Sequence, residues 1–207
     1  MRQKWGFTLL ELLLVIVIIS ILASALYVGV SHAITSSMIS ATRQMIQQIK
    51  GGLELYYSSF GDYPPSHLGR FHKTEDFNGV NNGIEALVAC VSTKDGGPFY
   101  RVPREQDLIN LDNDTAPKNL TNWYFGTNQL WEIADPFGNP FIYFHYRDYQ
   151  HPAPTIRKYI LGSTYQDCTP QRSTKTGVFY NPGKFQIWSA GPNSRNQNGV
   201  GDDVTGW

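Results

Sequence analysis

Glu11 is the only charged side chain in the apolar run FTLLELLLVIVIISILASALYVGV, residues 7–30. A carboxylate inside such a helix costs a few kcal/mol on insertion scales and normally has a partner. The run contains no Lys, Arg or His that could serve, and the first histidine after it is His32. A cut after Gly6 would create an α-amine on Phe7, one helical turn from Glu11. A second group of reactive types closes the chain, where residues 191–203 read GPNSRNQNGVGDD. Asp202 and Asp203 bring adjacent negative charge, and Asn193, Asn196 and Asn198 bring neutral oxygens. Hard cations want six to eight oxygen ligands on a loop that bends sharply. The spacing lacks the terminal glutamate of an EF-hand, and on chemistry alone a solvated flexible loop is the better reading. His67, His72, His145 and His151 show no H-E-x-x-H spacing, and there is no nucleophile elbow or phosphate loop. The chain therefore does not read as an enzyme. Cys90 and Cys168 either bridge outside the cytoplasm, closing a long loop worth about 4 kcal/mol, or are two separate buried thiols.

The elements that position these groups are legible in part. Residues 7–30 as a helix span about 36 Å at 1.5 Å per residue, enough for about 30 Å of hydrocarbon. Arg2 and Lys4 precede the run and no Lys or Arg follows until Arg43, which puts the N-terminus in the cytoplasm and the body across the membrane. A secretory signal has a shorter apolar run, followed by a small-residue cleavage site. Met38, Thr42, Met45, Ile46, Ile49, Leu53 and Tyr56 then recur at three- and four-residue steps, an amphipathic helix over 31–60 with one buried stripe. Gly51-Gly52 is a weak point that would allow close packing against a sheet, and Gly61 with Pro64-Pro65 ends the helix. Beyond, the spacing predicts a short helix at 83–91 and strands at 141–146, 158–161 and 185–189, set between turn signals such as Asp135-Pro136 and Gly138-Asn139-Pro140. The stretch from about Pro98 to Glu132 reads as a long loop. The fold class is α+β, a long helix laid on a small antiparallel sheet.

The chain has 17 basic and 17 acidic side chains in 207 residues. Mean hydropathy is −0.31 despite the apolar head, so the rest is distinctly polar. Balanced charge without a basic patch gives no reason to expect a nucleic-acid partner.

The string G-F-T-L-L-E at residues 6–11, with a short basic leader before it and about twenty apolar residues after it, resembles the class III signal of type IV pilins and their relatives. The resemblance implies that a prepilin peptidase removes residues 1–6, cutting after Gly6, and that Phe7 is then N-methylated. It implies that Glu11 is the assembly residue, meeting the N-terminal amine of a neighbouring subunit. Many members carry a proline where this chain has Val28. Gly29 next to it is the position where a helix would melt or bend locally.

A narrower resemblance rests on LYYSSFGDYPPS, GIEALV, DPFGNPFIY, FQIWSAGPN and the terminal GDDVTGW, in that order. The series is similar to the major pseudopilin of type II secretion systems. Stretches near 67–82, 102–131 and 147–184 look like insertions relative to it. The resemblance implies a periplasmic filament of identical subunits. Its partners would be an inner-membrane assembly platform and minor pseudopilins, and membrane lipid before assembly. The domain over 61–207 would be periplasmic. It further implies calcium in the C-terminal loop, held by Asp202, Asp203, Asn193 and the carbonyls of Ala190 and Val200. Asn193 stands where the family has an aspartate, which would weaken the site. A surface type IV pilus for adhesion, motility or DNA uptake is the alternative function.

Overall fold

A computed structural model describes residues 8–70, 78–92, 99–102, 105–116, 128–149 and 155–207. Helix α1 covers Leu9–Phe60 and is followed by a second helix, α2, at Asn82–Val91. Seven short strands come after: β1 (Leu108–Ile109), β2 (Glu132–Ile133), β3 (Ile142–His145), β4 (Arg157–Leu161), β5 (Thr164–Cys168), β6 (Phe185–Ser189) and β7 (Val204–Thr205). They form a three-stranded sheet in the order β3-β6-β7 and two ribbons, β1-β2 and β4-β5, all antiparallel. The α+β class and the pilin-like long helix stand as the sequence implied.

The chain divides into two compact units, Met1–Met38 and Ile39–Trp207. The described part of the first is α-helix, with Leu9 to Ile34 exposed throughout. In the single chain the helix runs through Gly29 without a break. By length and composition α1 can cross a membrane.

In the second unit the helical stripe expected from the sequence is buried at Thr42, Met45, Ile46, Ile49, Leu53 and Tyr56, while Met38 belongs to the first unit and is half-buried. Gly52 joins that stripe: a Cβ there would lie 2.8 Å from Tyr100 Cβ and 3.0 Å from Phe99 O. The close approach is thus to the Phe99–Tyr100 segment and not to a sheet. The stripe shares one core with Phe141 just before β3 and with Tyr143, Phe185, Ile187 and Trp188 of the three-stranded sheet. Lys50 Nζ donates to the Gly206 carbonyl at 2.7 Å, tying the helix to the chain end. The terminal Trp207 stacks on Tyr180 at 4.9 Å and meets Trp188 edge-on at 5.7 Å.

The predicted strand 185–189 is found as such, and 158–161 extends by one residue to Arg157. The strand predicted over 141–146 is shorter, because His145 caps a 3-10 turn at Tyr146–Asp148 by accepting from Arg147 N. Strand β5 was not expected. It pairs with β4 through a two-residue turn at Gly162-Ser163, where Gly162 has φ +61°. The expected loop from Pro98 to Glu132 contains β1, which pairs with β2, and a bridge between Thr115 and Gln129.

Candidate functional site

Gly6 and Phe7 lie outside the described residues. Glu11 lies in the first turn of α1, and Thr8 immediately precedes that helix. Thr8 N donates to Glu11 Oε2 at 2.8 Å and Thr8 Oγ1 donates to the same oxygen at 2.9 Å. Glu11 N donates back to Thr8 Oγ1 at 3.2 Å. This is a reciprocal capping box, which satisfies two N–H groups that a helix start leaves open. The carboxylate also sits where the helix dipole favours negative charge. Sequence reasoning gave Glu11 no partner within its own segment; in the single chain its partner is Thr8. The T-x-x-E spacing is the signal that could have found it.

The C-terminal loop springs from β6 and is fastened to the DPFGNP turn. Asp135 Oδ1 accepts from Phe137 N and Asn139 N, and Asp135 Oδ2 accepts from Ser189 Oγ at 2.5 Å. Ser189 Oγ in turn accepts from Gly191 N, and Asn139 Nδ2 donates to Gly191 O. Burial raises the Asp135 carboxyl, and these hydrogen bonds act against the shift. Gly191 has φ +63°, and a Cβ there would lie 2.2 Å from Asp202 O, so only glycine fits. Asn196 pins the loop to both sides, accepting from Trp188 Nε1 at 3.2 Å and donating its N–H to Gln166 Oε1 at 2.9 Å.

Within the loop Asp202 accepts from Asn193 N at 3.1 Å and from Asn193 Nδ2 at 2.5 Å. Asp203 Oδ2 accepts from Gln197 N at 3.0 Å and Gly199 N at 2.7 Å. Asp203 Oδ1 is buried and has no hydrogen-bond partner among the described residues. Burial pushes the Asp203 carboxyl up to about 6 against those two donors, with Asp202 adding repulsion. Val200 O accepts from Asp203 N, and Ala190 is fully buried at the foot of the loop. The structure therefore gathers Asn193, Val200, Asp202 and Asp203 into one turn-rich segment. Asn193 turns its amide nitrogen to Asp202 while its Oδ1 accepts from Arg195 N at 2.7 Å, and Asp203 Oδ1 is the one buried carboxylate oxygen left unsatisfied there; the side chains are otherwise oxygen-bearing. That chemistry fits a hard cation. In the single chain the backbone and side-chain amides of Asn193 donate to the two oxygens of Asp202.

Cys90 and Cys168 are both buried and not joined to each other, one on α2 and one on β5. The bridge weighed from the sequence is not made. Burial pushes the Cys168 thiol up, far from a reactive thiolate. His145 is a structural group. Its Nδ1 accepts from Arg147 N, so Nε2 donates to Asp62 Oδ1 at 3.1 Å, and Asp62 also pairs with Arg147 at 2.9 Å. Burial lowers its proton affinity, with Asp62 opposing. His67 lines the same polar groove as His145, whereas His72 and His151 lie outside the described residues.

Compared with known families, the chain matches the prokaryotic N-terminal methylation motif over residues 1–27. No curated protein and no solved structure matches it. The motif indicates the type IV pilin or pseudopilin class. It implies prepilin peptidase processing and filament assembly with pilin-type partners, and it indicates a structural subunit. The apolar helix beside that motif fits inner-membrane anchoring.

Proposed function

We propose that this chain is the major structural subunit of a periplasmic pseudopilus that drives protein export through a type II secretion system. The observation that carries the reading is the methylation motif over residues 1–27, continued by a helix whose first part exposes only apolar surface apart from Glu11 and small polar groups. Residues 1–6 are the leader, cut between Gly6 and Phe7, after which Phe7 is methylated. Residues 7–30 cross the inner membrane once with the N-terminus cytoplasmic, 31–60 continue as the amphipathic helix, and 61–207 form the periplasmic body. The secretion branch is favoured by the DPFGNP turn, bound through Asp135 to Ser189 of the SAGPN segment, and by Trp207 packed at the chain end. A surface type IV pilus is the second reading, since the motif is common to both.

In a filament Glu11 meets the Phe7 amine of a neighbour. To do so it trades its hydrogen bonds to Thr8 for an ion pair in low dielectric. Desolvation offsets most of the Coulombic gain there, so the pair sets register more than stability. Glu11→Gln tests this cleanly, because a glutamine still accepts from Thr8 N and keeps the cap. The expected result is normal leader removal and membrane insertion with filaments lost. Wild-type filament yield from Glu11→Gln would overturn the assembly role. Restored export in a type II system lacking its major subunit supports the secretion reading. Surface filaments with no export support the pilus instead.

Calcium belongs to this proposal as a ligand of the C-terminal loop, held by Asp202, Asp203 and Asn193 with the carbonyls of Ala190 and Val200. A bound cation would neutralise the two aspartates and order the loop on β6. At 100 times its dissociation constant a ligand stabilises by about 2.7 kcal/mol. For a chain of this size that raises Tm by roughly 5–10 °C. Asp202→Ala in the detergent-solubilised full chain is expected to bind one calcium ion fewer by equilibrium dialysis. Unchanged stoichiometry would remove calcium from the loop.

A further inference from the structure

Glu85 lies in the first turn of α2, among Ile84, Ala86, Leu87 and Val88, and is only 1% exposed. Its Oε1 is buried with no hydrogen-bond partner among the described residues. Two other segments bring carboxylates to the same place. Strand β2 carries Glu132, fully buried and opposite Ile109 of β1. The turn after β1 carries Asp112. One ligand oxygen each of Glu85, Asp112 and Glu132 lies within 4.8 Å of the other two. Asp112 Oδ1 is buried and unpartnered as well, and so is Oδ1 of neighbouring Asp114.

The remaining oxygens are held from outside. Asn81 Nδ2 donates to Glu132 Oε1 at 2.6 Å, and Leu111 N donates to Glu132 Oε2 at 3.1 Å. Asn78 Nδ2 donates to Asp112 Oδ2 at 3.0 Å. These donors fix Glu132 and Asp112, while Glu85 Oε1 has no donor among the described residues. His145 and Arg147 pair with Asp62, Arg157 with Asp148 and Lys184 with Glu54, all outside this cluster.

Buried carboxylates gathered without a cation must either hold protons or hold a metal. The spacing suits a metal. Oxygens on one calcium ion sit at about 2.3–2.6 Å from it, so no two can be more than roughly 5 Å apart. The donors are hard oxygens from three separate segments, with no imidazole or thiol, unlike the Cys- and His-rich sites that zinc favours. The near-complete burial of Glu85 and Glu132 leaves little room for the water shell that magnesium keeps.

We propose that Glu85, Asp112 and Glu132 form a divalent-cation site, taking calcium, separate from the C-terminal loop. The ion joins α2 to the β1-β2 ribbon and to the turn at Asp112. It thereby clamps the segment between α2 and β3, most of which looks like an insertion relative to the pseudopilins that the sequence resembles. The site does not depend on the filament assignment.

The test uses the full chain in detergent micelles, stripped with chelator and titrated with calcium chloride. An Asp202→Ala background takes the C-terminal loop out of the count. In that background equilibrium dialysis should find one ion per chain. Adding Glu85→Gln should weaken binding at least tenfold and abolish the calcium-dependent rise in Tm, while the chelated Tm stays level or rises as repulsion is relieved. Asp112→Asn, at a half-exposed position, repeats the test where folding is least at risk. No ion bound in the Asp202→Ala chain would overturn the site and leave protons as the cluster's neutralising charge. Binding unaffected by Glu85→Gln and Asp112→Asn would overturn it equally.

Discussion

Gly83→Ala is expected to destabilise the body by about 2–3 kcal/mol, lowering Tm by roughly 5–10 °C. A Cβ on Gly83 would lie 2.3 Å from Tyr159 Oη and 2.4 Å from Tyr143 O. Tyr159 Oη bridges the backbone of β3, accepting from Tyr143 N at 3.1 Å and donating to Tyr143 O at 3.2 Å. Both tyrosines are fully buried, and Tyr143 Oη is itself committed to Pro64 O at 2.6 Å. A methyl group can enter only by pushing α2 off the sheet or by driving the Tyr159 hydroxyl from both partners. The first opens the core and costs about 1–3 kcal/mol as overpacking; the second strands buried polar groups at about 1–3 kcal/mol each. The higher helix propensity of alanine returns at most about 1 kcal/mol, so the sign is settled by packing. Gly51 is the control, an exposed position of α1 with nothing within 4 Å of a Cβ. There the same substitution should be neutral or slightly stabilising. Urea melts of the two variants check both, and a Gly83→Ala chain as stable as wild type would refute the close approach.

Legibility from the sequence followed the range of the forces involved. The second part of α1 was readable because a 3.6-residue stripe is a local pattern, and almost the whole predicted stripe is buried. Strand β6 was readable as a short apolar run between turn signals, all five residues being buried. Strand β5, TYQDC, offered no such run: four of its residues are exposed or half-buried, and its partner β4 defines it. The Gly162-Ser163 pair between two short segments was the available hint, a two-residue hairpin turn. Ribbon β1-β2 was invisible for a different reason. Two-residue strands have no periodicity, and their pairing spans a stretch that reads as loop.

The chemistry divides in the same way. The types in the C-terminal loop were evident, and so was the turn character of DPFGNP. Their attachment through Asp135 and Ser189, 54 residues apart, is a product of β3 pairing with β6. Glu85 stood inside IEALV as one polar residue in an apolar helix, and Asp112 and Glu132 stood in the unassigned stretch. Nothing local relates three acids that come together only when α2 packs on β2. The capping box at Thr8 and Glu11 was fully local. It went unread because a carboxylate amid apolar residues invites a search for a cation, when a hydroxyl three residues back already accounts for it.

The same acidic cluster gives the metal-free chain an inverted pH dependence. In chelator, stability should fall as pH rises from about 4.5 to about 8. Burial pushes the Glu132 carboxyl up to about 8, with Asn81 and Leu111 donating against the shift and Asp112 and Asp114 repelling. Burial raises Glu85 well above its ordinary range, with Asp114, Asp112 and Glu132 adding to it, and Asp114 is raised too. In each case the folded chain holds its proton to a higher pH than the unfolded chain. The folded state therefore binds more protons across this window, and ΔG of unfolding declines with pH until the folded groups have ionised. At about 1.4 kcal/mol per pKa unit the Glu132 contribution alone is bounded near 4–5 kcal/mol, and relaxation brings the expected loss to about 2–3 kcal/mol. Asp203 acts in the same direction but is spent by about pH 6. His145 opposes, since burial lowers its proton affinity and stability from that source grows as pH rises toward 6.5. Asp62 limits that term, so the carboxylates should win above pH 6.5, where His145 has nothing further to give. Urea melts at pH 5, 6.5 and 8 in chelator measure the slope, and Glu132→Gln should flatten it. A flat or rising profile above pH 6.5 in the wild-type chain would contradict the buried cluster itself. If a cation occupies the site, calcium reverses the trend, because it competes with the same protons and its stabilising effect must grow as they leave.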